Sequence, residues 1–365
     1  MQKTKNKAKW HRRLSGWSLG AACMALLSPT QAALKEDIRS DAPQRYEVVK
    51  GDTLWDISGR FLKYPWQWPE LWEVNAQIAN PHLIYPGDSV YLYYRDGRPY
   101  LGLERDDEDV LRLSPQVRSI SARDAIAPLP WDIVRSFLEG NRIVSPDDVD
   151  SVPYVLAGDD RRILSGAGDR LYVRGELPAG RYYGLYRPGQ RYLDPDTGEF
   201  LGLEMETLGE TRFLRQENDI TLLEVTSSRQ EIRPGDKVLP LERLPATSEF
   251  QPSAAPYTSE GQILAVPGGV RYIGRLDVVA LDLGRRDGLT PGDVLAVEQL
   301  GETVVDPVTE QTLRLPGEDA GLLMVFYTYE RISYALVMQA SRSLAVGDRV
   351  HAPADDALVA RLGLH

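Results

Sequence analysis

Tyr46-Glu-Val-Val-Lys-Gly-Asp-Thr-Leu-Trp55-Asp-Ile57, followed by Asn80-Pro-His-Leu-Ile-Tyr-Pro-Gly-Asp88-Ser-Val-Tyr-Leu92, frames a small module in residues 45–94. Tyr46 and Val48 alternate as in a half-buried strand. Gly51-Asp52 marks a turn, because glycine takes backbone angles that other residues avoid. Thr53, with Asp56 three residues on, has the form of a helix-opening capping box, Asp standing where Glu or Gln is usual. Leu54, Ile57, Ser58 and Phe61 then recur at helical spacing, mostly apolar on one face. Pro69 suits the first position of a second helix, with Leu71, Trp72 and Val74 available to pack. Pro86-Gly87-Asp88 is another turn, and Val90 and Leu92 alternate in a closing strand. The pattern predicts strand–helix–helix–strand, its two antiparallel strands forming a sheet covered on one face.

These two stretches resemble the ends of a LysM domain, a βααβ module that binds the N-acetylglucosamine-containing glycan of peptidoglycan or chitin. The resemblance implies a shallow groove between two loops, here Gly51, Asp52, Thr53 and Leu54 on one side and Asn80 through Gly87 on the other. Backbone N–H and C=O groups would hold acetamido groups. Leu54, Leu83, Ile84 and Tyr85 would supply the apolar lining, and Pro86 and Gly87 complete the second loop. Leu54 and Ile84 fit a core role equally well. Trp66 and Trp68, in an unusually aromatic segment, either stack on sugar or fill a small core.

Before the module, Lys3, Lys5, Lys7, Lys9, Arg12 and Arg13 precede an apolar run from Leu14 to Leu27 and the small-residue segment Pro29-Thr-Gln-Ala32. Residues 1–32 therefore read as a secretory signal peptide, with a run too short for a stable span. Removing these six positive side chains takes the net charge from −11 to −17. That balance argues against nucleic acid and anionic membranes as partners. The single cysteine, Cys23, sits in the leader, so the mature chain has no disulfide. Residues 33–44 form a short polar leader to the module.

Residues 95–153 read as a connector. It carries an acidic run at 105–109, a strand candidate at 111–117 and a short helix after Pro130 with Ile133, Val134, Phe137 and Leu138. Its expected role is to dock on the domain that follows. From Tyr154 the texture is β, with short apolar runs between Gly, Pro and Asp. Asp194-Pro-Asp-Thr197 matches Asp306-Pro-Val-Thr309, and Gly235-Asp-Lys-Val238 matches Gly347-Asp-Arg-Val350, at one constant offset. This predicts an internal repeat of two β-rich units, residues 154–241 and 262–352, as small barrels or sandwiches. A Pro/Ser/Ala/Thr-rich linker, 242–261, lies between them, and 353–365 is a tail. The fold class is multidomain, α+β followed by mainly β.

No residue constellation for catalysis stands out. Without a mature cysteine there is no thiol nucleophile. His82, His351 and His365 have no metal-ligand spacing. No catalytic residue, metal or cofactor is therefore expected. Asp194 and Asp196 read as a turn rather than a ligand pair, since Val308 replaces the second acid in the other copy.

The order of segments, with Leu113-Ser-Pro-Gln-Val-Arg118, Pro153-Tyr-Val-Leu-Ala-Gly158 and Gly166-Ala-Gly-Asp-Arg-Leu-Tyr-Val-Arg174, resembles the TsaP family of type IV pilus secretin-associated proteins. The C-terminal region of that family is similar to the C-terminal domain of flagellar assembly protein T. The resemblance implies a noncatalytic periplasmic adaptor, anchored to peptidoglycan and bound to an outer-membrane secretin. The alternative is a LysM-tethered cell-wall hydrolase or hydrolase activator.

Overall fold

The computed structural model describes residues 38–69, 84–95, 98–104, 131–159, 163–177, 180–241, 252–267 and 272–353. The expected signal peptide, the expected second helix of the N-terminal module from residue 70 on, Asn80 and Leu83, the strand candidate at 111–117 and the tail from residue 354 lie outside the described residues.

The N-terminal module begins with β1 (Arg45–Glu47), which pairs antiparallel with β2 (Ser89–Arg95). Between them lie α1 (Leu54–Phe61) and a 3-10 turn, Pro65–Gln67. The predicted capping box is present in both directions. The Asp56 amide donates to Thr53 Oγ1 and the Thr53 amide donates to Asp56 Oδ2, each at 3.2 Å. The sheet has three strands rather than the expected two. β3 (Arg98–Glu104), assigned from sequence to the connector, pairs with β2 along its whole length. Leu101 of β3 completes the module's core with Val48, Leu54, Ile57, Phe61, Trp68, Ile84 and Val90. The alternation in β3 is broken by Pro99 and Gly102, which hid it. The ring of Tyr91 on β2 lies over Gly102, where a Cβ would sit 2.2 Å from it and push the ring aside.

The expected helix is α2 (Trp131–Gly140), and β4 (Asn141–Val144) follows it directly. The next strands are β5 (Tyr154–Gly158), β6 (Arg170–Arg174), β7 (Tyr182–Leu193), β8 (Phe200–Glu217), β9 (Ile220–Ser228) and β10 (Lys237–Pro240). They pair in the order β4-β8-β7-β10-β5-β6-β9, and β9 pairs back onto β8, so six strands close a barrel with β4 outside it. Its interior holds Val155, Leu171, Val173, Leu185, Leu223, Val225 and Val238.

A second barrel is built from β11 (Ser253–Ala254), β12 (Glu260–Ala265), β13 (Val278–Leu281), β14 (Asp293–Gln299), β17 (Glu318–Thr328), β18 (Ser333–Ala340) and β19 (Arg349–His351). β15 (Thr303–Val305) and β16 (Thr312–Arg314) form a separate two-stranded ribbon. The order β11-β14-β17-β18-β13-β12-β19 closes through β14–β19 pairing, with β11 on the outside. β11 and the start of β12 fall in the stretch expected to be linker.

The two barrels use their outer faces differently. In β6, Leu171 and Val173 point inward while Arg170, Tyr172 and Arg174 are exposed, the alternation of a one-sided strand. In β13 every residue is buried, and β18 is buried from Ser333 to Met338. Val279, Leu281, Ala335 and Val337 fill the barrel. Val278, Ala280, Tyr334, Leu336 and Met338 face out, with Met324 and Phe326 of β17, into a second apolar cluster. Three separate segments cover it. These are Trp55 and Trp66 of the N-terminal module, α2 with β4, and Tyr192 and Leu201 from the extended end of the β7–β8 hairpin. Phe137 of α2 meets Tyr334 edge-on with centroids 4.7 Å apart. The helix thus packs on the second barrel, while its Glu139 pairs with Arg229 of the first at 3.6 Å and the connector's Val144 and Val152 pack beside Tyr186 and Met205 there.

One carboxylate turn recurs through the molecule. Asp88, Asp169, Asp236, Asp277, Asp293 and Asp348 each accept, through a carboxylate oxygen, from the amide three residues earlier at 2.7–2.9 Å. Each closes a turn leading into a strand. Asp194 Oδ1 likewise accepts from the amides of Asp196 and Thr197, at 2.9 and 2.7 Å, and these bonds hold its carboxyl below the usual range.

Two predictions follow from the packing. Trp55→Ala, which empties part of the outer cluster, should lower stability by about 3–5 kcal/mol in chemical denaturation. Asp282, half-buried and accepting from the Gln262 amide at 2.7 Å, has its pKa pushed up to about 6, first by burial and then by Asp194 nearby. The folded chain therefore holds this proton more tightly than the unfolded chain. The group's contribution is best below its ordinary value of 3.8 and is lost as pH rises to about 6. Asp282→Asn keeps the acceptor oxygen without the charge. It should be more stable than the parent near neutral pH, by up to about 2–3 kcal/mol, and lose that advantage in acid. Thermal unfolding against pH reads both limits.

Candidate functional site

The N-terminal module brings its two predicted loops side by side. The amide of Val48 donates to Asp88 O, and the amide of Gly87 donates to Val48 O, both at 2.8 Å. The loops are therefore bound to each other at their bases. Each is also closed internally by a carboxylate. Asp52 Oδ2 accepts from the amide of Val49 and from the hydroxyl of Tyr46, both at 2.9 Å. Asp88 Oδ2 accepts from the amide of Tyr85 at 2.9 Å. Gly51 and Gly87 sit at φ +100° and +96°, where a side chain would strain the turn. Backbone hydrogen bonds thus fix the spacing between two exposed tips, Lys50–Gly51 and Pro86–Gly87. The two tips therefore stand side by side at a set distance, with backbone exposed at Gly51 and Gly87.

The expected side chains divide into groups. Gly51, Pro86 and Gly87 are exposed, and Asp52 and Tyr85 are half-buried at the rim. Thr53 is buried, and its hydroxyl is committed to Asp56, accepting from the amide and donating to Oδ2 at 2.8 Å. Leu54 and Ile84 are both 0% exposed and belong to the module's core, so they present no surface to a ligand. Trp68 is core as well, and Trp66 belongs to the cluster on the second barrel, so neither is open to sugar. Asn80 and Leu83 lie outside the described residues. Val49, passed over in the sequence, is the exposed apolar side chain on the first loop at 53%. Strand alternation carried the signal, since an inward Val48 turns its neighbour outward.

Beside the first loop runs a cleft of about 500 Å³ between α1 and the second barrel, lined in part by Asp52, Arg60, Arg275 and Gln339. Arg275 bridges its two walls, pairing with Asp56 of α1 and donating to Met338 O at 3.3 Å. Arg60 lies 4.1 Å from the centroid of the Tyr46 ring. Burial raises the Tyr46 phenol pKa, and its bond to Asp52 adds to the shift. A neutral phenol is therefore kept as a donor to that carboxylate. Among the described residues no group of three or more His, Cys, Asp or Glu is placed to hold a metal ion, and no helix is long and apolar enough to cross a membrane.

Residues 46–92 match the LysM domain family. A stretch of 59 residues is 39% identical to the uncharacterized protein YqbP of Bacillus subtilis, covering 13% of this chain and 27% of that protein. The chain thus spans about a quarter of the length of this relative. LysM is a binding domain, and the match supports peptidoglycan binding by the module. The mainly β region that follows lies beyond the family match.

Asp52→Ala removes both bonds that close the first loop. It should cost about 1–2 kcal/mol of stability and weaken binding of N-acetylglucosamine oligomers several-fold. Calorimetric titration against the parent protein measures the second effect.

Proposed function

We propose that this chain is a noncatalytic periplasmic adaptor that grips peptidoglycan glycan through its LysM groove and presents its β region to an envelope machine. The observation that carries the reading is the pair of loops held at fixed spacing by Val48, Gly87 and Asp88. Rigid backbone edges suit the repeated acetamido groups of a glycan, and they cost little ordering entropy on binding. Tyr85 and Val49 supply the apolar contact for a sugar face. The leader supports export, with cleavage after Ala32. The resemblance to type IV pilus secretin-associated proteins supports an outer-membrane secretin as the machine. A single shallow groove binds weakly, so many copies in one assembly would hold the wall through effective concentration.

We read the two barrels as copies of one unit. The Asp236 and Asp348 turns support this, as do the matching turns of Asp194 and Asp306. Asp306 Oδ1 accepts from the amides of Val308 and Thr309, as Asp194 does from its own turn. In this reading the second barrel spends its apolar outer face on packing within the chain, and the polar outer positions of β6 on the first are left to face a partner.

The test uses residues 33–365 and a Val49→Asp/Tyr85→Ala variant, both at sites with exposed surface. The parent should sediment with purified sacculi and release no muropeptides, while the variant stays in solution. In crosslinked envelopes, both proteins should still capture the secretin after the wall is digested. Released muropeptides would favour the hydrolase alternative. Loss of the secretin on wall digestion would make that contact indirect, through peptidoglycan.

A further inference from the structure

The β15–β16 ribbon stands apart from the second barrel's sheet, and its strand residues are exposed or half-exposed. It carries Val305 at 63%, Val308 at 87%, Leu313 at 46% and Leu315 at 47% exposure. Among the described residues the ribbon has no third strand, and such a ribbon is marginal in water. Four apolar side chains on such a ribbon call for a surface to lie on.

The chain itself contains a worked case of what that surface is. The outer end of the β7–β8 hairpin carries the same Asp-Pro-x-Thr turn, but it is covered. β4 pairs along it, from Asn141 opposite Glu206 to Val144 opposite Leu203. Its Tyr192 and Leu201 lie in the apolar cluster on the outer face of the second barrel. Its Glu199 pairs with Arg286 at 3.0 Å and Arg331 at 3.5 Å, and Arg331 also donates to Phe200 O at 3.2 Å. One barrel's arm therefore lies across another barrel's outer face, with apolar side chains beneath it and an acid on the arm meeting arginines on the face.

Among the described residues the first barrel has an open outer face that matches the ribbon in charge and offers tyrosine rings as its apolar contact. Arg170, Tyr172 and Arg174 point outward from β6. In register beside Arg170 run Glu224 of β9, Arg212 of β8 and Tyr182 of β7. Tyr172 and Tyr182 are 36% and 47% exposed. Arg212 pairs with Glu224, and Arg174 reaches Asp219 at 3.4 Å. Arg170 has no ion pair among the described residues. The ribbon and its flanks bring Glu302, Asp306 and Glu310 against a single Arg314. Acid on the arm and arginine with tyrosine on the face repeat the polarity of the internal contact.

We propose that the β15–β16 ribbon of one copy docks on the outer β6–β9–β8 face of the first barrel of a second copy. The two surfaces differ, so the contact is heterologous. It leaves a free ribbon at one end of a pair and a free face at the other, and it propagates head to tail. This inference does not rest on the glycan reading.

The test is sedimentation velocity on residues 33–365 over a wide range of concentration. The parent should gain mass with concentration. A ribbon variant, Val308→Asp/Leu313→Asp, and a face variant, Arg170→Glu/Tyr172→Asp, should each remain monomeric with parental thermal unfolding, since all four sites are exposed. Mixed together, the two variants should form pairs and stop there, because each retains one half of the contact. Three results overturn the proposal: a parent that stays monomeric throughout, a ribbon variant that assembles like the parent, or a mixture that stays monomeric although the parent assembles. A parent that stays monomeric yet loses ribbon exposure on adding a different envelope protein would assign the ribbon to that protein instead.

Discussion

The outward positions of β13, β17 and β18 must be taken out of water, and the arrangement of the rest of the molecule answers that demand. Val278, Leu336, Met338, Met324 and Phe326 would otherwise form an exposed apolar patch of a size that soluble proteins rarely leave open. Burying a Val, Leu, Phe or Met side chain is worth about 1.5–3 kcal/mol each, so covering this face outweighs any of the surface ion pairs nearby. Pairs such as Arg286–Glu199 and Arg275–Asp56 sit at the edges of the covered region. At partial exposure they contribute little to stability, and they fix how the covering segments lie.

The same constraint explains the contrast between the barrels. Both close six strands around an apolar interior. Arg170, Tyr172 and Arg174 keep the first barrel's outer face compatible with water. The all-buried β13 cannot stand alone in that way. A strand with one wet face alternates, and a strand with two dry faces does not. The sequence Val278-Val-Ala-Leu281 states which of the two it is.

Legibility followed the range of the interactions. The capping box of Thr53 and Asp56, the turns at Gly51 and Gly87, α2 after Pro130 and the Gly-Asp turns into strands were all readable, because each depends on residues close in sequence. The core role of Leu54, Ile84 and Trp68 was one of two open readings, since an apolar residue beside a loop fits lining and core alike. The role of Trp55 and Trp66 was not readable. Both pack against strands more than two hundred residues away, and nothing local marks a tryptophan as part of a seam. β3 was missed because Pro99 and Gly102 interrupt its alternation, although each is tolerated there. The connector does reach the domain that follows, through β4 on β8 and Val144 and Val152 beside Tyr186 and Met205; the packing of α2 on the second barrel as well had no local signal, because adjacency in sequence is only a tendency in space.

The seam made by Trp55 and Trp66 also has a mechanical meaning. The two loop tips and the seam belong to one small module, and α1 follows directly on the first loop and carries Trp55. A pull applied at the loop tips passes through the module into Trp55 and Trp66 and spreads over β13, β17 and β18. Those strands are tied into a closed ring of hydrogen bonds, which has no free edge to peel. The load is borne by packed surfaces acting together, in parallel with the covalent chain. The weak point under tension is therefore the shearing of the seam, not the unravelling of a strand.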